Sequence, residues 1–243
     1  MKKYLLIMLC ALVSCVGQKD DPEETGPSGE PVAKTGAGIV LDFTATWCVN
    51  CPRMTTAIEE AAAEKSLIPV CVHFQDAMVC DQGKELIGHF GVQAYPSAVM
   101  NMDASTLITA TSKELIFAKL ASSFSEKAPG TIDAAFLADG SVNVKFTAAE
   151  EGAYTLSAAL VEDGIVAAQT GASDSFIHNA VFRRFLQENL LGDSLGQISA
   201  GASVERAFDS GVSSGKFRVV VFVCYDGKVN SAVSVKAPFY PED

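Results

Sequence analysis

The hydrophobic positions of residues 38–127 alternate between a strand pattern and a helix pattern. An apolar run within residues 39–43 predicts a strand. Apolar residues then recur at spacings of three and four from Met54 to Ala62, which predicts an amphipathic helix that reaches about Lys65 with its apolar stripe on a sheet. The pattern continues with a strand at 68–74, a helix at about 81–90, a strand pair at about 98–103 and 106–111, and a helix from 113 to about 125.

Short strands dominate the pattern of residues 131–243. Asp-Gly and Glu-Gly pairs favour turns between strand-like runs at about 131–137, 142–147, 154–162, 203–209, 216–224 and 228–236. Between the third and fourth runs, one apolar stripe predicts a helix at residues 176–191 that ends at Gly192. We therefore expect an immunoglobulin-like antiparallel β-sandwich with a helical insertion.

The first residues have the organisation of an export signal. Two lysines precede an apolar stretch that ends at Ser14, directly before Cys15. This stretch is shorter than the roughly 20 residues that a membrane-spanning helix needs. Residues 12–15 resemble the lipobox of bacterial lipoproteins, which implies a signal peptide at 1–14 and lipidation of Cys15. The alternative is an ordinary signal peptide that is cleaved near a cysteine.

Residues 15–37 are rich in acidic residues, proline and glycine and contain almost nothing apolar, which predicts an acidic, flexible tether. Residues 19–21 (Lys-Asp-Asp) resemble the acidic signal that takes lipoproteins to the cell surface in some Gram-negative bacteria. We therefore expect an outer-membrane lipoprotein of the cell envelope that faces either the periplasm or the surface. The lipid provides the attachment to the membrane.

Composition and charge narrow the class of protein. The chain has 243 residues, of which 49% are hydrophobic and 19% charged, so most of it is expected to fold around a core. It carries 18 basic and 29 acidic residues, a formal net charge of −11, and no basic run in the body of the chain. This balance argues against a nucleic-acid partner. Seven cysteines are too few for a disulfide scaffold of this size, so their individual positions carry the information.

Cys48 and Cys51 lie at the turn between the first predicted strand and the first predicted helix. At this position, unpaired backbone N–H groups and the helix dipole favour a thiolate at Cys48. Two intervening residues place the second sulfur within bonding range of the first. The spacing therefore predicts Cys48 as the nucleophile and Cys51 as the thiol that resolves a mixed disulfide.

Residues 42–52, which include Trp47 and both cysteines, and residues 91–97 resemble conserved segments of the thioredoxin superfamily. The resemblance implies an α/β thioredoxin-like domain at 38–127 with no cofactor beyond the dithiol itself. It also implies that Asp42 is a buried carboxylate that relays a proton to Cys51, and that Tyr95 and a cis-Pro96 lie against the thiols.

Alternatives to these roles remain open from the sequence. Asp42 is otherwise a strand-end residue bonded to a loop, and Pro96 is otherwise a turn proline in trans. Trp47 is expected to pack beside the site, where it and Tyr95 position the substrate. The residues between the cysteines, Val and Asn, differ from those of the best-known reductants, oxidants and isomerases of the superfamily, so the direction of electron flow stays open.

The remaining cysteines allow several arrangements. Cys71 lies in a predicted strand and Cys80 follows a short loop, so the two are either free or joined by a disulfide. Cys224 is expected to be a buried strand residue. A zinc site formed by Cys48, Cys51, Cys80 and His73 is an alternative, but the second pair lacks the spacing of structural zinc sites. We therefore expect no metal.

The second half contains no recognisable catalytic set. His178, Arg183 and Arg184 on the predicted inserted helix either contact an acidic ligand or form its solvated face. Residues 161–166 and 178–183 resemble a family of bacterial outer-membrane lipoproteins, the outer membrane protein twenty-eight family. That family joins a thioredoxin-like domain to a β-rich domain, expected here at 131–243.

Together, the sequence predicts a lipid-anchored thiol-disulfide oxidoreductase. Its expected partners are exported proteins that contain cysteines and a protein that exchanges electrons with it. The alternative is a non-catalytic surface lipoprotein for binding or assembly, in which the thioredoxin-like domain is a scaffold and Cys48 and Cys51 form a static disulfide.

Overall fold

The computed structural model describes residues 32–34, 37–123 and 130–238. The predicted signal peptide, the predicted lipidation site Cys15 and most of the predicted tether lie outside the described residues. Strand β1 (Val32–Lys34) lies within the predicted tether and pairs antiparallel with β5 (Thr131–Phe136), so this part of the tether is a strand. Within the part of the chain that the structure describes, no helix is long and apolar enough to cross a membrane.

The first half follows the predicted alternation of strands and helices. Its elements are β2 (Gly38–Thr44), α1 (Cys51–Glu64), β3 (Leu67–His73), α2 (Asp81–His89), β4 (Ser97–Met100) and α3 (Lys113–Ser123). Every residue of β2 is buried. Val40 packs with residues of α1 and α3 on one face of the sheet, while Phe43 packs with residues of α2 on the other. This double cover explains the continuous apolar run of the strand.

The second strand of the pair predicted at about 98–111 does not form. A short 3-10 turn, Ala104–Thr106, overlaps only the start of that segment, and a single bridge joins Ala98 to Ile108. The carboxylate of Asp103 accepts the backbone N–H of Ser105 and so caps this turn. The local hydrogen bond competes with strand pairing, as is typical of aspartate near a turn.

The second half is rich in strands, several of them close to the predicted positions. They are β5, β6 (Ser141–Thr147), β7 (Gly152–Glu162), β8 (Ile165–Ala167), β9 (Phe176–His178), β10 (Val181–Phe185), β11 (Asp193–Ile198), β12 (Ser203–Asp209), β13 (Phe217–Tyr225) and β14 (Lys228–Lys236). The prediction missed β8 to β11.

The helix predicted at residues 176–191 is wrong. The segment forms β9 and β10, with a turn at Ala180, whose φ is 55°. Adjacent Val181 and Phe182 are both buried, and β10 lies between β7 and β3, where two neighbouring strands bind its backbone. Branched and aromatic side chains suit such a strand, and this pairing outweighs the helical spacing of the apolar residues.

One sheet runs through both halves of the protein. Seven of its eight strands follow the order β14-β13-β7-β10-β3-β2-β4. The eighth strand, β11, pairs with β7 outside this path. The halves meet where β10 runs parallel to β3, with Val181 opposite Cys71. The N–H of Cys71 donates to the carbonyl of Ala180 at 2.7 Å. The β-rich half is therefore not a separate immunoglobulin-like sandwich, because one of its sheets continues into the thioredoxin-like half.

A second, four-stranded sheet covers the outer part of this shared sheet. Its order is β1-β5-β6-β12. Phe146 of this sheet packs on Tyr154 of β7 with ring centroids 4.9 Å apart, and both side chains are fully buried. The two sheets enclose a hydrophobic core of their own. The strands β8 and β9 form a separate two-stranded hairpin.

Candidate functional site

A disulfide joins Cys48 and Cys51 at the start of α1. The Cα atoms of the two cysteines are 5.4 Å apart. Pro52 follows in the first turn of the helix, where its missing N–H leaves no donor unpaired. Only 5% of Cys48 and 1% of Cys51 is exposed.

Asp42 lies in the middle of β2, and only 1% of it is exposed. Its Oδ2 accepts a hydrogen bond of 3.5 Å from the hydroxyl of Thr55, which belongs to α1. Burial raises the pKa of Asp42 from 3.8 to about 7; the Thr55 bond lowers it and the charge of Glu59 raises it. The alternative of a strand-end residue bonded to a loop is therefore wrong. A carboxyl with this pKa gains and loses a proton near neutral pH.

Aromatic side chains line one side of the disulfide. The Tyr95–Pro96 peptide bond is cis, and Tyr95 packs against the buried cluster that contains the two cysteines. The rings of Tyr95 and Phe74 stack at 5.2 Å, and Trp47 meets Tyr95 edge-on at 5.6 Å. The indole N–H of Trp47 donates to the carbonyl of Phe74, yet 47% of this residue is exposed. Tyr95 therefore lies beside the disulfide, Trp47 contacts Tyr95, and the cis-Pro96 follows Tyr95 in the chain.

A buried carboxylate holds the turn that precedes the cysteines. Asp76 accepts the backbone N–H of Thr46 at 2.9 Å and pairs with Nδ1 of His73 at 2.7 Å. Burial raises the pKa of Asp76, but its bonds to His73, Thr46 and Met78 outweigh burial and hold the pKa below its ordinary value. The sequence analysis did not predict this role of Asp76. The one feature of the sequence that could have indicated it is the position of Asp76 in the loop after β3.

A loop of the β-rich half covers the backbone of the disulfide turn. The amide Nε2 of Gln169 donates to the carbonyls of Cys48, at 3.0 Å, and Ala45, at 3.3 Å. The N–H of Thr170 donates to the carbonyl of Thr46 at 2.8 Å. Gly171 follows with φ +85°, and a Cβ there would lie 2.3 Å from the carbonyl oxygen of Val49. These contacts join residues more than 120 positions apart, so no local sequence pattern indicated them.

The other cysteines of the described residues form neither a further disulfide nor a metal site. Cys71, Cys80 and Cys224 are free thiols, so the possible Cys71–Cys80 disulfide is not formed. Because Cys48 and Cys51 are bonded to each other, they are not zinc ligands in this state. Residues 37–123 and 130–238 contain no group of three or more His, Cys, Asp or Glu side chains arranged to hold a metal ion.

The three polar residues placed on the inserted helix are instead on strands β9 and β10. Arg183 pairs with Glu162, its Nε donating at 2.8 Å, and Arg184 donates to the carbonyl of Ser210, also at 2.8 Å. His178 is buried, so it does not belong to a solvated face. Its ring lies 5.3 Å from that of His73, and burial together with His73 lowers the pKa of His178.

A cavity of about 90 Å³ lies between α1, β3 and the β8–β9 hairpin. Both halves of the protein line it. Residues with polar or titratable side chains on its wall include Asp42, Glu59, Cys71, His73, His178 and Arg218.

The fold and the site define the class of this protein, a thioredoxin-like domain with a Cys-x-x-Cys disulfide followed by a β-rich domain. A family model described as Thioredoxin matches residues 29–122. A second model, described as Outer membrane protein Omp28, matches residues 83–238, which is more than half of the chain. This protein therefore belongs to the Omp28 family.

Solved structures are similar in fold. HBP35 of Porphyromonas gingivalis is 17% identical with a TM-score of 0.65, and the match covers 89% of this chain and 78% of that chain. Protein AGR_C_4864 of Agrobacterium tumefaciens is 13% identical with a TM-score of 0.59, and the match covers 86% and 99%. At these identities the likeness shows the shared fold alone. A search of curated proteins finds no match.

Proposed function

We propose that this protein is a lipid-anchored thiol-disulfide oxidoreductase of the cell envelope. It acts on cysteines of exported proteins through Cys48 and Cys51. The observation that carries the proposal is the joint position of the disulfide and Asp42. The disulfide lies at the N-terminus of α1, and the carboxyl of Asp42, with a pKa of about 7, is bonded to Thr55 of the same helix.

In the reduced protein, the helix N-terminus favours the Cys48 thiolate, which attacks a disulfide of the partner. A mixed disulfide forms at Cys48, and one partner sulfur leaves as a thiolate. Asp42 then accepts the proton of Cys51, whose sulfur attacks Cys48 and displaces the second partner sulfur. The partner gains two electrons and the Cys48–Cys51 disulfide forms. The reverse sequence oxidises a dithiol partner.

The aromatic side of the disulfide is the proposed contact surface for the partner. Trp47 is half exposed there, and it lies beside Tyr95 and the cis-Pro96. An extended segment that carries a cysteine packs on these residues while its sulfur reaches Cys48. No cofactor or metal takes part in the proposed reaction.

Membership of an outer-membrane protein family supports a location in the cell envelope. We propose that lipidated Cys15 attaches the protein to the outer membrane, on the periplasmic or the surface side. A second envelope protein supplies or removes the electrons.

The reduction potential of the Cys48–Cys51 pair tests this function. Purified protein is equilibrated in graded thiol buffers, and alkylated cysteines are counted by mass spectrometry. We expect an exchanging pair. A potential near about −270 mV indicates a reductant, and one near about −120 to −180 mV indicates an oxidant or isomerase. Cys80→Ser, which removes a free thiol away from the disulfide, is the control and leaves the potential unchanged.

Trapping identifies partners. In a Cys51→Ser variant, Cys48 retains its mixed disulfides because the resolving thiol is absent. The Cys48→Ser variant is the matched control, since it keeps one thiol but removes the nucleophile. Cysteine-containing proteins trapped by the first variant and not by the second support the function.

One observation favours a second candidate, a binding or assembly protein with a static disulfide. Only 5% of Cys48 is exposed, and the loop of Gln169 is bonded to the turn that holds it. A Cys48–Cys51 pair that does not exchange with thiol buffers in the folded protein refutes the oxidoreductase and supports this candidate.

A further inference from the structure

The cavity between the two halves follows from the register of two strands. Asp42 of β2 lies opposite Cys71 of β3, and Thr44 lies opposite His73. Side chains two apart along a strand share a face, so these four residues point to the same side of the sheet. Helix α1 covers this side above β2, and the β8–β9 hairpin of the β-rich half adds His178 above β3.

Two of the residues that line this cavity each carry a buried polar atom that has no hydrogen-bond partner among the described residues. The atoms are Oδ1 of Asp42 and Nε2 of His178. The residues that carry them are only 1% and 6% exposed. A buried polar atom without a partner destabilises the folded state, because it has lost its hydrogen bonds to water. An ordered water molecule often removes this cost.

The hydrogen-bonding capacity of these two atoms determines what kind of molecule can bind to both. An ionised carboxylate only accepts hydrogen bonds, and the unprotonated nitrogen of a neutral imidazole also accepts. Burial keeps His178 neutral near pH 7, because it lowers the pKa of the ring. The ring is hydrogen-bonded to the backbone of Ala167 through its other nitrogen, so the unpartnered Nε2 is the acceptor. A molecule that satisfies both atoms when Asp42 is ionised must therefore donate two hydrogen bonds. The cavity of about 90 Å³ has room for water, which needs about 10 to 15 Å³.

We propose that a water molecule in this cavity donates to both Oδ1 of Asp42 and Nε2 of His178, and that His178 is thereby a positioning residue for Asp42. The catalytic role of this water bridge rests on the proposed function. In the reaction, the proton of Cys51 passes to the carboxylate of Asp42, and the Cys51 sulfur then bonds to Cys48 as the partner thiolate leaves. His178 holds the water that stabilises this carboxylate.

Other charged and titratable groups face the same space from the elements that surround it. Glu59 lies on α1, Cys71 and His73 on β3, and Arg218 on β13. Asp76 also acts on His178, and Asp163 is paired with Arg218. None of these six residues is changed in the variants proposed below, so the comparison of His178→Leu and His178→Gln with the wild type reports on residue 178.

The test is the titration of Asp42 in the oxidised, purified protein, followed by the ¹³C signal of its carboxyl group, which Asp42→Asn identifies. His178→Leu removes the acceptor that holds the water and makes Asp42 about tenfold weaker as an acid, since a hydrogen bond to a charged group is lost. His178→Gln keeps an acceptor and retains the wild-type titration. His89→Leu changes an exposed histidine on α2 and leaves the titration unchanged.

A folded His178→Leu variant that titrates like the wild type overturns the proposal, as does a His178→Gln variant that shifts as far as His178→Leu. If His178→Leu does not fold, a high-resolution crystal structure of the wild type decides. Water bonded to both atoms supports the bridge, and its absence refutes it. Because no thiol reagent is used, these outcomes are independent of whether the Cys48–Cys51 pair exchanges.

Discussion

The raised pKa of Asp42 has a measurable consequence for the stability of the protein. In the folded state the pKa is about 7, whereas the ordinary value is 3.8. Below pH 3.8 the carboxyl is protonated in both states. Between 3.8 and about 7, only the folded state keeps the proton, so the free energy of unfolding falls as the pH rises. Above about 7 the loss is complete.

The size of the effect follows from the two pKa values. They differ by 3.2, and one pKa unit corresponds to about 1.36 kcal/mol. The full loss is therefore about 4 kcal/mol, of which about 2.5 kcal/mol falls between pH 5 and pH 8. Since Asp42 is only 1% exposed, no discount for solvent screening applies.

Asp42→Asn removes this titration while it keeps the shape of the side chain. We expect the difference in unfolding free energy, variant minus wild type, to increase by about 2.5 kcal/mol from pH 5 to pH 8. The assay is urea unfolding of the oxidised protein, followed by the fluorescence of Trp47, the single tryptophan of the chain. Taking the difference between variant and wild type cancels the titration of the other carboxylates.

The control is Asp174→Asn, which changes an exposed carboxyl in the loop that precedes β9. Its difference from the wild type is expected to stay flat over the same range. A flat difference for Asp42→Asn would show that the folded protein does not hold the Asp42 proton near neutral pH. The assignment of Asp42 as the proton acceptor of Cys51 would then be refuted.

Three further predictions concern the contacts between the two halves and a buried ion pair. Gln169→Leu removes two hydrogen bonds to carbonyls of the disulfide turn and is expected to lower the free energy of unfolding by about 1 to 3 kcal/mol in urea titrations; no change would mean that water replaces the amide. Gly171→Ala places a Cβ 2.3 Å from a backbone oxygen and is expected to lower the free energy of unfolding in the same assay. The control is Gly196→Ala, where φ is similarly positive but the space is open, and its effect is expected to be smaller; equal losses of unfolding free energy contradict the close packing at Gly171. Arg218→Met removes the guanidinium that donates to both carboxylate oxygens of buried Asp163, which still accepts the N–H of Ala180. We expect the midpoint of urea unfolding to fall by an amount equivalent to about 3 kcal/mol, and a smaller loss in the double variant with Asp163→Asn identifies the broken ion pair as the cause.

The local sequence pattern predicted the first half of the fold, apart from the strand expected at about 106–111, and the position of the two cysteines. The strand before Cys48 and the helix after Cys51 are read from short-range periodicity, and their junction determines where the cysteines lie. The resemblance to thioredoxins placed Asp42 and Pro96 beside them. These features depend on residues that are close in sequence or on a common fold.

The failures in the second half have a common physical cause, which is pairing between distant segments. The apolar spacing of residues 176–191 fits a helix stripe, but Val181 lies opposite Cys71 in the sheet, 110 positions away. Gln169 reaches Cys48 across 121 positions. No periodicity within a short window contains this information, and the cavity at the same boundary was missed for the same reason.

The shared sheet also has a consequence for the order in which the two halves fold. When residues up to the end of α3 fold before the β-rich half, β3 lacks the neighbour that β10 later provides, so one edge of the sheet exposes unpaired backbone groups. Such an edge invites association with other chains until β10 covers it. Roughly sixty residues separate the end of α3 from β10, so the thioredoxin-like half is most prone to aggregation until that segment has folded onto it.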